Sequence, residues 1–183
     1  MKILESKGIC IILMIVLIAG GFLLGGYAGL SGQYQKAADV FFLGENRDGI
    51  CAANDMAERA AALTNMQTIA KKYPAVADSV LEAASSALNA YTRAEGDILD
   101  MFEANAAMEA AMSELMLETD DGMLSAKDES YRQKLYTEFN SRNDTISHDP
   151  YYNYAAAYNE ILGRFPASLI EALTPVKEAP VRY

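Results

Sequence analysis

"ICIILMIVLIAGGFLLGGYAGL", residues 9–30, is the stretch that decides the fold. No charged residue occurs between Lys7 and Lys36, and residues 9–24 include eleven Ile, Leu, Val or Phe. At about 1.5 Å per residue a helix over 9–30 is about 33 Å long, which matches a hydrocarbon core of about 30 Å. These side chains favour membrane insertion by roughly 4 to 6 kcal/mol. The pattern predicts one transmembrane helix over residues 8–30.

The basic residues flanking this segment predict its orientation. Lys2 and Lys7 precede the segment, whereas Lys36 alone follows it closely. By the positive-inside rule, residues 1–7 are cytoplasmic and the helical domain after the segment is extracytoplasmic, on a single-pass protein of the cytoplasmic membrane. A cleaved signal peptide is the alternative, with a small-x-small site at Gly26-Tyr27-Ala28. The apolar run is long for a signal peptide, which favours an uncleaved signal anchor.

Three glycines of the segment recur every four residues: Gly21, Gly25 and Gly29. Such a small-xxx-small stripe lets two helices approach closely in lipid, which predicts self-association through the membrane helix. The alternative is that glycine is simply common in spanning helices.

Length and charge bound the remainder of the chain. With 183 residues there is room for one membrane segment and one domain. The formal net charge is -10, and residues 31–183 carry 13 Lys plus Arg against 24 Asp plus Glu. Such an acidic surface repels phosphate backbones, so nucleic acid is excluded as a partner. Cys10 and Cys51 lie too far apart along the predicted helix to pair, and Cys51 reads as a small core residue or an exposed thiol.

The sequence after the anchor is typical of helices only. Residues 52–112 include 19 alanines among 61 residues, and no run alternates like a strand. We predict helices over about 33–73, with soft points at Gly44 and Gly49, and over about 75–118, ending at Gly122. Shared apolar stripes predict an all-α fold: the N-terminal transmembrane helix, then an elongated antiparallel bundle of three to four long helices over 31–173.

The later helices are predicted from their end signals. Ser125-Ala-Lys-Asp128 resembles a capping box and opens a third helix, whose inward row contains Tyr131, Leu135, Phe139 and Ile146. His148-Asp149-Pro150 is either a fresh helix start or a kink. The fourth helix ends at Phe165-Pro166, a short turn covers 167–173, and 174–183 is a tail.

Two stretches of the chain carry a family resemblance: ERAAALTNMQTIAKKY (58–73) and YYNYAAAYNEILGRFPASLI (151–170). The first is similar to the Arg-rich helix RR-x-DLIPNLV, and the second to the ending YN-x5-YN-x5-FP-x-x-L, of the LemA family of membrane-anchored bacterial proteins. The resemblance implies a helical-bundle protein of the cell envelope with no established general activity and no catalytic residues. The matching residues are Arg59, Leu63, Asn65, Tyr73, Tyr151, Tyr158, Asn159, Phe165, Pro166 and Leu169.

Candidate sites for metals are few. A di-iron bundle needs several inward carboxylates and histidines, whereas His148 is the single histidine and is predicted to be solvated. Met108, Met112 and Met116 recur every four residues, which suits either core packing or soft Cu(I). We therefore predict no metal and no cofactor.

Candidate contact residues are more numerous. The cluster of Tyr151, Tyr152, Tyr154 and Tyr158 cannot all face one core, so we expect most of these rings to pack in the core or in seams between helices. Tyr152 and Tyr154 are assigned to a surface for a protein or glycan partner. We expect Arg59 to form an inter-helix ion pair or hydrogen bond and Asn65 to make a polar contact across the bundle, with ligand binding as the alternative. No Ser-His-Asp set, phosphate-binding Gly-rich loop or CxxC motif occurs.

The sequence therefore predicts a non-enzymatic scaffold of the cell envelope. Its predicted partners are the lipid bilayer, unidentified envelope proteins and a second copy of the membrane helix. The alternative is a sensor-like, ligand-binding bundle that signals through the membrane helix, and an enzyme is the third choice.

Overall fold

The computed structural model describes residues 7–119 and 124–181, which form seven helices and no strand. The prediction of an all-α fold is confirmed. The helices are α1 (Lys7–Leu43), α2 (Ala52–Ala70), α3 (Asp78–Arg93), α4 (Ile98–Glu118), α5 (Ala126–Ser147), α6 (Tyr151–Leu162) and α7 (Ala167–Leu173).

Helix α1 contains the predicted membrane segment. Within the described residues it is the one helix long and apolar enough to cross a membrane. Its large apolar side chains from Ile11 to Ile18 are between 45% and 74% exposed. Residues 1–6 of the predicted cytoplasmic segment lie outside the described residues.

Glycines end the helices earlier than predicted. Gly44 has φ +86°, and a Cβ there would lie 2.6 Å from the carbonyl oxygen of Ile50. The predicted continuous helix over 33–73 is therefore wrong: α1 ends at Leu43 and α2 begins at Ala52. Gly96, with φ +94°, likewise divides the predicted helix over 75–118 into α3 and α4. The predicted stop at Gly122 lies outside the described residues.

The predicted start of the third helix is confirmed, and the structure decides between the two interpretations of His148-Asp149-Pro150. Ser125 Oγ accepts a hydrogen bond from the Asp128 N–H at 3.2 Å, as an N-cap does. Asp149 Oδ1 accepts from the Tyr151 N–H at 2.8 Å, so α6 is a fresh start after α5 rather than a kinked continuation. The Phe165-Pro166 pair separates α6 from α7.

The described residues divide into two compact units. Unit 1 contains the described residues within 1–37 and 153–179, and unit 2 those within 38–152 and 180–183.

Unit 2 is built on a four-helix bundle of α2 to α5. Tyr73, just after α2, bonds to Asp128 near the start of α5, and Asp55 at the start of α2 pairs with Arg142 near the end of α5. The two helices are therefore antiparallel. The buried core contains Leu63, Met66, Ala84, Met108, Met112, Leu115 and Phe139.

Unit 1 packs α6 and α7 along α1. The Tyr158 ring lies edge-on to the Tyr34 ring with centroids 5.7 Å apart. Further along, Ile170 of α7 lies against Gly26, where an added Cβ would be 2.2 Å from Ile170 Cδ1. Because the chain advances from 158 to 170 while its contacts on α1 move from 34 to 26, this part of the chain runs antiparallel to α1.

Candidate interaction site around Arg59

Arg59 joins three helices of unit 2. Its side chain is 0% exposed in the middle of α2, and its guanidinium hydrogen-bonds to Asn105 and pairs with Glu109, both on α4. The Cζ atom lies 3.8 Å from the centroid of the Phe139 ring on α5, within cation–π distance. The predicted inter-helix ion pair of Arg59 is confirmed.

The ion pair is asymmetric in its exposure. Arg59 is wholly buried, whereas the Glu109 side chain is 44% exposed. Burial lowers the pKa of the Arg59 guanidinium, and the Glu109 carboxylate opposes that shift. The Arg59 Nε atom is buried without a hydrogen-bond partner in the described part of the chain. The stability of this region therefore depends on Glu109 compensating a charge that water does not reach.

A cleft of about 610 Å³ opens beside Arg59 on unit 2. Its apolar lining includes Phe102, Ile146 and Tyr152, and its polar lining includes Glu103, Asn143 and Glu109. Ligand sites have about this size, with apolar walls and a few convergent polar groups. The arrangement can accept an apolar side chain beside a cationic group, which Glu103 would attract, whereas the charge of Glu109 is already paired with Arg59.

An aromatic cluster supports one wall of the cleft. The Phe102 ring lies 6.0 Å from the Tyr152 ring and 5.5 Å from the Phe41 ring, centroid to centroid. Phe41 in turn lies 5.1 Å from Tyr151, and both are 0% exposed. Tyr152, predicted as a partner surface, thus lines the cleft from a fixed cluster. Tyr154, the second residue of that prediction, is on α6 in unit 1 and is 38% exposed.

The three other residues of stretch 58–73 that carry the family resemblance have different roles. Leu63 is fully buried in the core. Tyr73 donates to Asp128 Oδ2 at 2.7 Å and accepts from the Ser125 N–H at 3.0 Å, which ties the end of α2 to the start of α5. Asn65 is exposed and makes no hydrogen bond with the described part of the chain, so its predicted contact across the bundle is not formed.

In stretch 151–170, two side chains of α6 hold the chain that follows α7 within unit 1. Asn159 Nδ2 donates to the Ala179 carbonyl at 2.9 Å, and Asn159 Oδ1 accepts from the Ala179 N–H at 2.8 Å. The Tyr158 hydroxyl donates to the Lys177 carbonyl at 3.1 Å. Burial, together with Tyr34 and Glu171, raises the pKa of Tyr158 to about 12. This phenol therefore keeps its donated proton at neutral pH.

Tyr151 is fully buried within unit 2. Its hydroxyl donates to the Pro180 carbonyl at 2.7 Å. Phe165, Pro166 and Leu169, in contrast, are exposed, with Phe165 82% and Leu169 45% accessible.

The glycine stripe of α1 faces open space. A Cβ built at Gly21, Gly25 or Gly29 meets no atom within 4 Å in the described structure. The close approach on this helix involves Gly26, one residue away from the stripe.

The metal candidates have other roles in the structure. Met108 and Met112 are 0% exposed in the core of unit 2, and Met116 packs against it, so these methionines fill the bundle. The His148 side chain is 78% exposed, with Nδ1 2.9 Å from the Asp144 carbonyl oxygen. Among the described residues, no group of three or more His, Cys, Asp or Glu could hold a metal ion.

The sequence interpretation missed the polar contacts by which Gln67 and Arg132 join elements of unit 2, and also the contact of Asp149 with the start of α2. Gln67 donates to the Leu81 carbonyl and to Ser85 Oγ of α3. Asp149 accepts from the Tyr151 N–H and from the Ala52 backbone, and its burial raises the pKa of its carboxyl group. Arg132 is 4% exposed and donates to the Met116 carbonyl at 3.0 Å. Their spacing alone does not distinguish them from solvated residues of the same type.

Cys51 is buried, as predicted for a small core residue, and neither cysteine forms a disulfide. Its Sγ lies 3.4 Å from the Phe42 carbonyl oxygen, and burial raises the pKa of its thiol. The thiolate that reactive cysteines require is therefore disfavoured at this position.

Comparisons with protein-family models, with curated proteins and with solved structures give no match to this chain.

Proposed function

We propose that this protein is a membrane-anchored, non-enzymatic scaffold of the cell envelope that presents an acidic helical bundle outside the cytoplasmic membrane. The observation that carries the proposal is α1: large apolar side chains from Ile11 to Ile18 are exposed on a helix of membrane-spanning length. Lipid is the medium in which such exposure is favourable. The LemA resemblance agrees with this role and remains a prediction.

Docking of an envelope protein to the Arg59 cleft is the mechanism that we propose. The apolar wall of Phe102, Ile146 and Tyr152 would bury a partner's apolar side chain. Glu103 lies on the same cleft, so a basic residue next to that apolar side chain would be attracted. The net charge of -10 would also speed the approach of a basic partner.

Photo-cross-linking in intact cells tests the docking proposal. A photoreactive amino acid at Ser147, an exposed residue of the cleft, should capture a defined partner, which mass spectrometry then identifies. Glu103→Lys in the same chain should reduce capture by about tenfold, because it reverses the charge that faces the basic residue.

Glu114→Lys is the matched control. Glu114 is exposed on α4 outside the cleft, and its substitution changes the net charge by the same amount. Capture should stay near the unsubstituted level. An equal loss of capture in both variants would mean that the net charge of the protein, and not Glu103 itself, attracts the partner. Capture of no partner would count against docking at this cleft.

Ligand sensing is the second candidate, favoured by the cleft volume of about 610 Å³. A small cationic or aromatic compound that binds there should raise the melting temperature of the full-length protein. Glu103→Lys should abolish the rise and Glu114→Lys should preserve it. The break after Leu43 means that any signal would pass between α1 and α2 through the loop at 44–51 rather than along one helix.

A further inference from the structure

The corner between α6 and α7 exposes large apolar side chains. Phe165 is 82% exposed, Leu173 62% and Leu169 45%. Leu169 and Leu173 are four residues apart on α7 and share one face of that short helix. Isolated exposed apolar residues are common on proteins, but a group of three within nine residues marks a surface that is normally covered.

Contacts within unit 1 fix the level of this corner along α1. Ile170 lies against Gly26, which is four residues before Leu30, the predicted end of the span. At 1.5 Å per residue, Gly26 is about 6 Å inside that end. Helix α7 is therefore level with the last part of the apolar segment, while Tyr158, against Tyr34, is level with a point about 6 Å beyond it.

Ile170 and the exposed leucines have different environments. Ile170 is 3% exposed and contacts α1 at Gly26, whereas Leu169 and Leu173 are exposed. A helix that packs one side on a membrane span at this depth exposes its other residues to the same surroundings as the span itself. Those surroundings are the boundary between headgroups and acyl chains, into which amphipathic segments insert by about 5 to 10 Å.

We propose that Phe165, Leu169 and Leu173 insert into the lipid leaflet at the residue-30 end of the α1 span, as a second membrane contact of this chain. The inference rests on the proposed membrane anchoring of α1. It assigns the exposed Phe-Pro corner a role in fixing the depth and tilt of the anchor, because a helix held at two points cannot rotate about its axis without removing these side chains from lipid.

The charges near the corner indicate which lipids it contacts. Glu160 and Arg164 form an ion pair with each other, and the chain as a whole carries a net charge of -10. No excess of positive charge is present to attract anionic headgroups. Burial of apolar surface is then the driving force, so insertion should be the same in zwitterionic and in anionic membranes.

Tryptophan fluorescence tests the proposal, since the chain has no tryptophan of its own. Phe165→Trp, Leu17→Trp and Tyr154→Trp each supply one reporter in the full-length protein, which is reconstituted into zwitterionic vesicles whose acyl chains are brominated. Leu17 lies within the span, and Tyr154 lies one turn of α6 before Tyr158, away from the corner. Bromine quenches only tryptophans that contact the acyl region.

We expect strong quenching of Leu17→Trp, quenching of Phe165→Trp by about twofold with a blue-shifted emission, and almost none of Tyr154→Trp. If Leu17→Trp is quenched and Phe165→Trp is not, the inference is wrong, while the proposed membrane anchor still stands. Absence of quenching in both would overturn the anchor.

Two further outcomes would also overturn the inference. A blue shift of Phe165→Trp without quenching would mean that protein, a second copy included, covers the corner. Quenching that appears only after anionic lipid is added would mean that charge rather than apolar burial drives the contact.

Discussion

The core of unit 2 and the apolar surfaces of unit 1 differ in how far their large apolar side chains are exposed. In unit 2, Leu63, Leu115 and Phe139 are 0% exposed, whereas in unit 1 Leu17 is 74% and Phe165 is 82% exposed. The residue types are the same, so composition does not explain the difference. It follows from the distribution of polar residues: in unit 2 they cover an apolar interior, while α1 has no charged residue between Lys7 and Lys36. Unit 2 therefore buries its apolar side chains as proteins do in water, whereas the exposed apolar side chains of α1 suit the lipid in which we propose that this helix lies.

The largest expected effect comes from removing a buried leucine of unit 2. Leu115→Ala should lower the free energy of unfolding by about 3 kcal/mol, because it removes apolar contacts and leaves a cavity. Leu117→Ala, two residues along α4 at a side chain 75% exposed, should change it by less than about 0.5 kcal/mol. Denaturant titration of the full-length protein in detergent measures both. Equal effects would mean that α4 does not bury the face assigned to it.

The second effect compares the loss of Glu109 with the loss of Arg59, the two partners of the ion pair in unit 2. Glu109→Ala should cost about 2 to 3 kcal/mol, because the buried guanidinium is left uncompensated. Arg59→Met should cost clearly less, since Met fills part of the apolar space and Glu109 is already 44% exposed to water. The same denaturant titration compares them. A larger loss from Arg59→Met would show that the charge, rather than its compensation, stabilises the bundle.

A third effect examines the polar contacts of unit 1. Asn159→Ala removes both hydrogen bonds to Ala179, together about 1 to 2 kcal/mol, and should release the following chain. Trypsin should then cleave after Lys177 several-fold faster. Asn153→Ala, at an exposed position of α6, is the control and should leave the rate unchanged. No acceleration in Asn159→Ala would mean that other contacts hold the tail.

The smallest effect is a pH dependence in unit 2. Hydrogen bonds from Lys72 and Tyr73 lower the pKa of the Asp128 carboxyl group in the folded protein. The ionised carboxylate therefore stabilises the fold fully at a pH above the pKa of Asp128 in the unfolded chain. This contribution is lost as the pH falls through its pKa in the folded protein. Between about pH 5 and pH 3, the melting temperature of Asp128→Asn should fall less than that of the unsubstituted protein. Glu138→Gln, on the same helix, should follow the unsubstituted protein. If the melting temperatures of all three proteins fall equally with pH, Asp128 does not contribute to the loss of stability in acid.

The sequence predicted the long apolar helix and the capped start of α5 because each depends on local signals, and it offered the start of α6 as one of two interpretations. The buried face of α2 could not be predicted in the same way. Asp55 and Arg59 are both buried on the face of α2 that packs in the bundle. Hydrophobic periodicity does not place a charged residue inward. Asp55 can be buried because Arg142 pairs with it, and Arg59 can be buried because Glu109 pairs with it. The positions of these partners come only from the fold.

The cleft was not predictable for a similar reason. Its walls come from α2, α4, α5 and Tyr152, which are brought together only by the packing of unit 2. The Phe165-Pro166 pair was predicted to end a helix, and it does lie between α6 and α7. Its exposure could not be read from the sequence, because Phe is buried in most folds and only the contact of Ile170 with Gly26 places this corner beside α1.

Carbonate extraction of cell membranes, followed by intact-mass measurement, tests the membrane anchor most directly. We predict that the protein stays in the alkaline-washed membrane at its uncleaved mass, because α1 remains in lipid. Release into the soluble fraction, or a mass lacking about the first 28 residues as expected for cleavage after Ala28, would contradict the account.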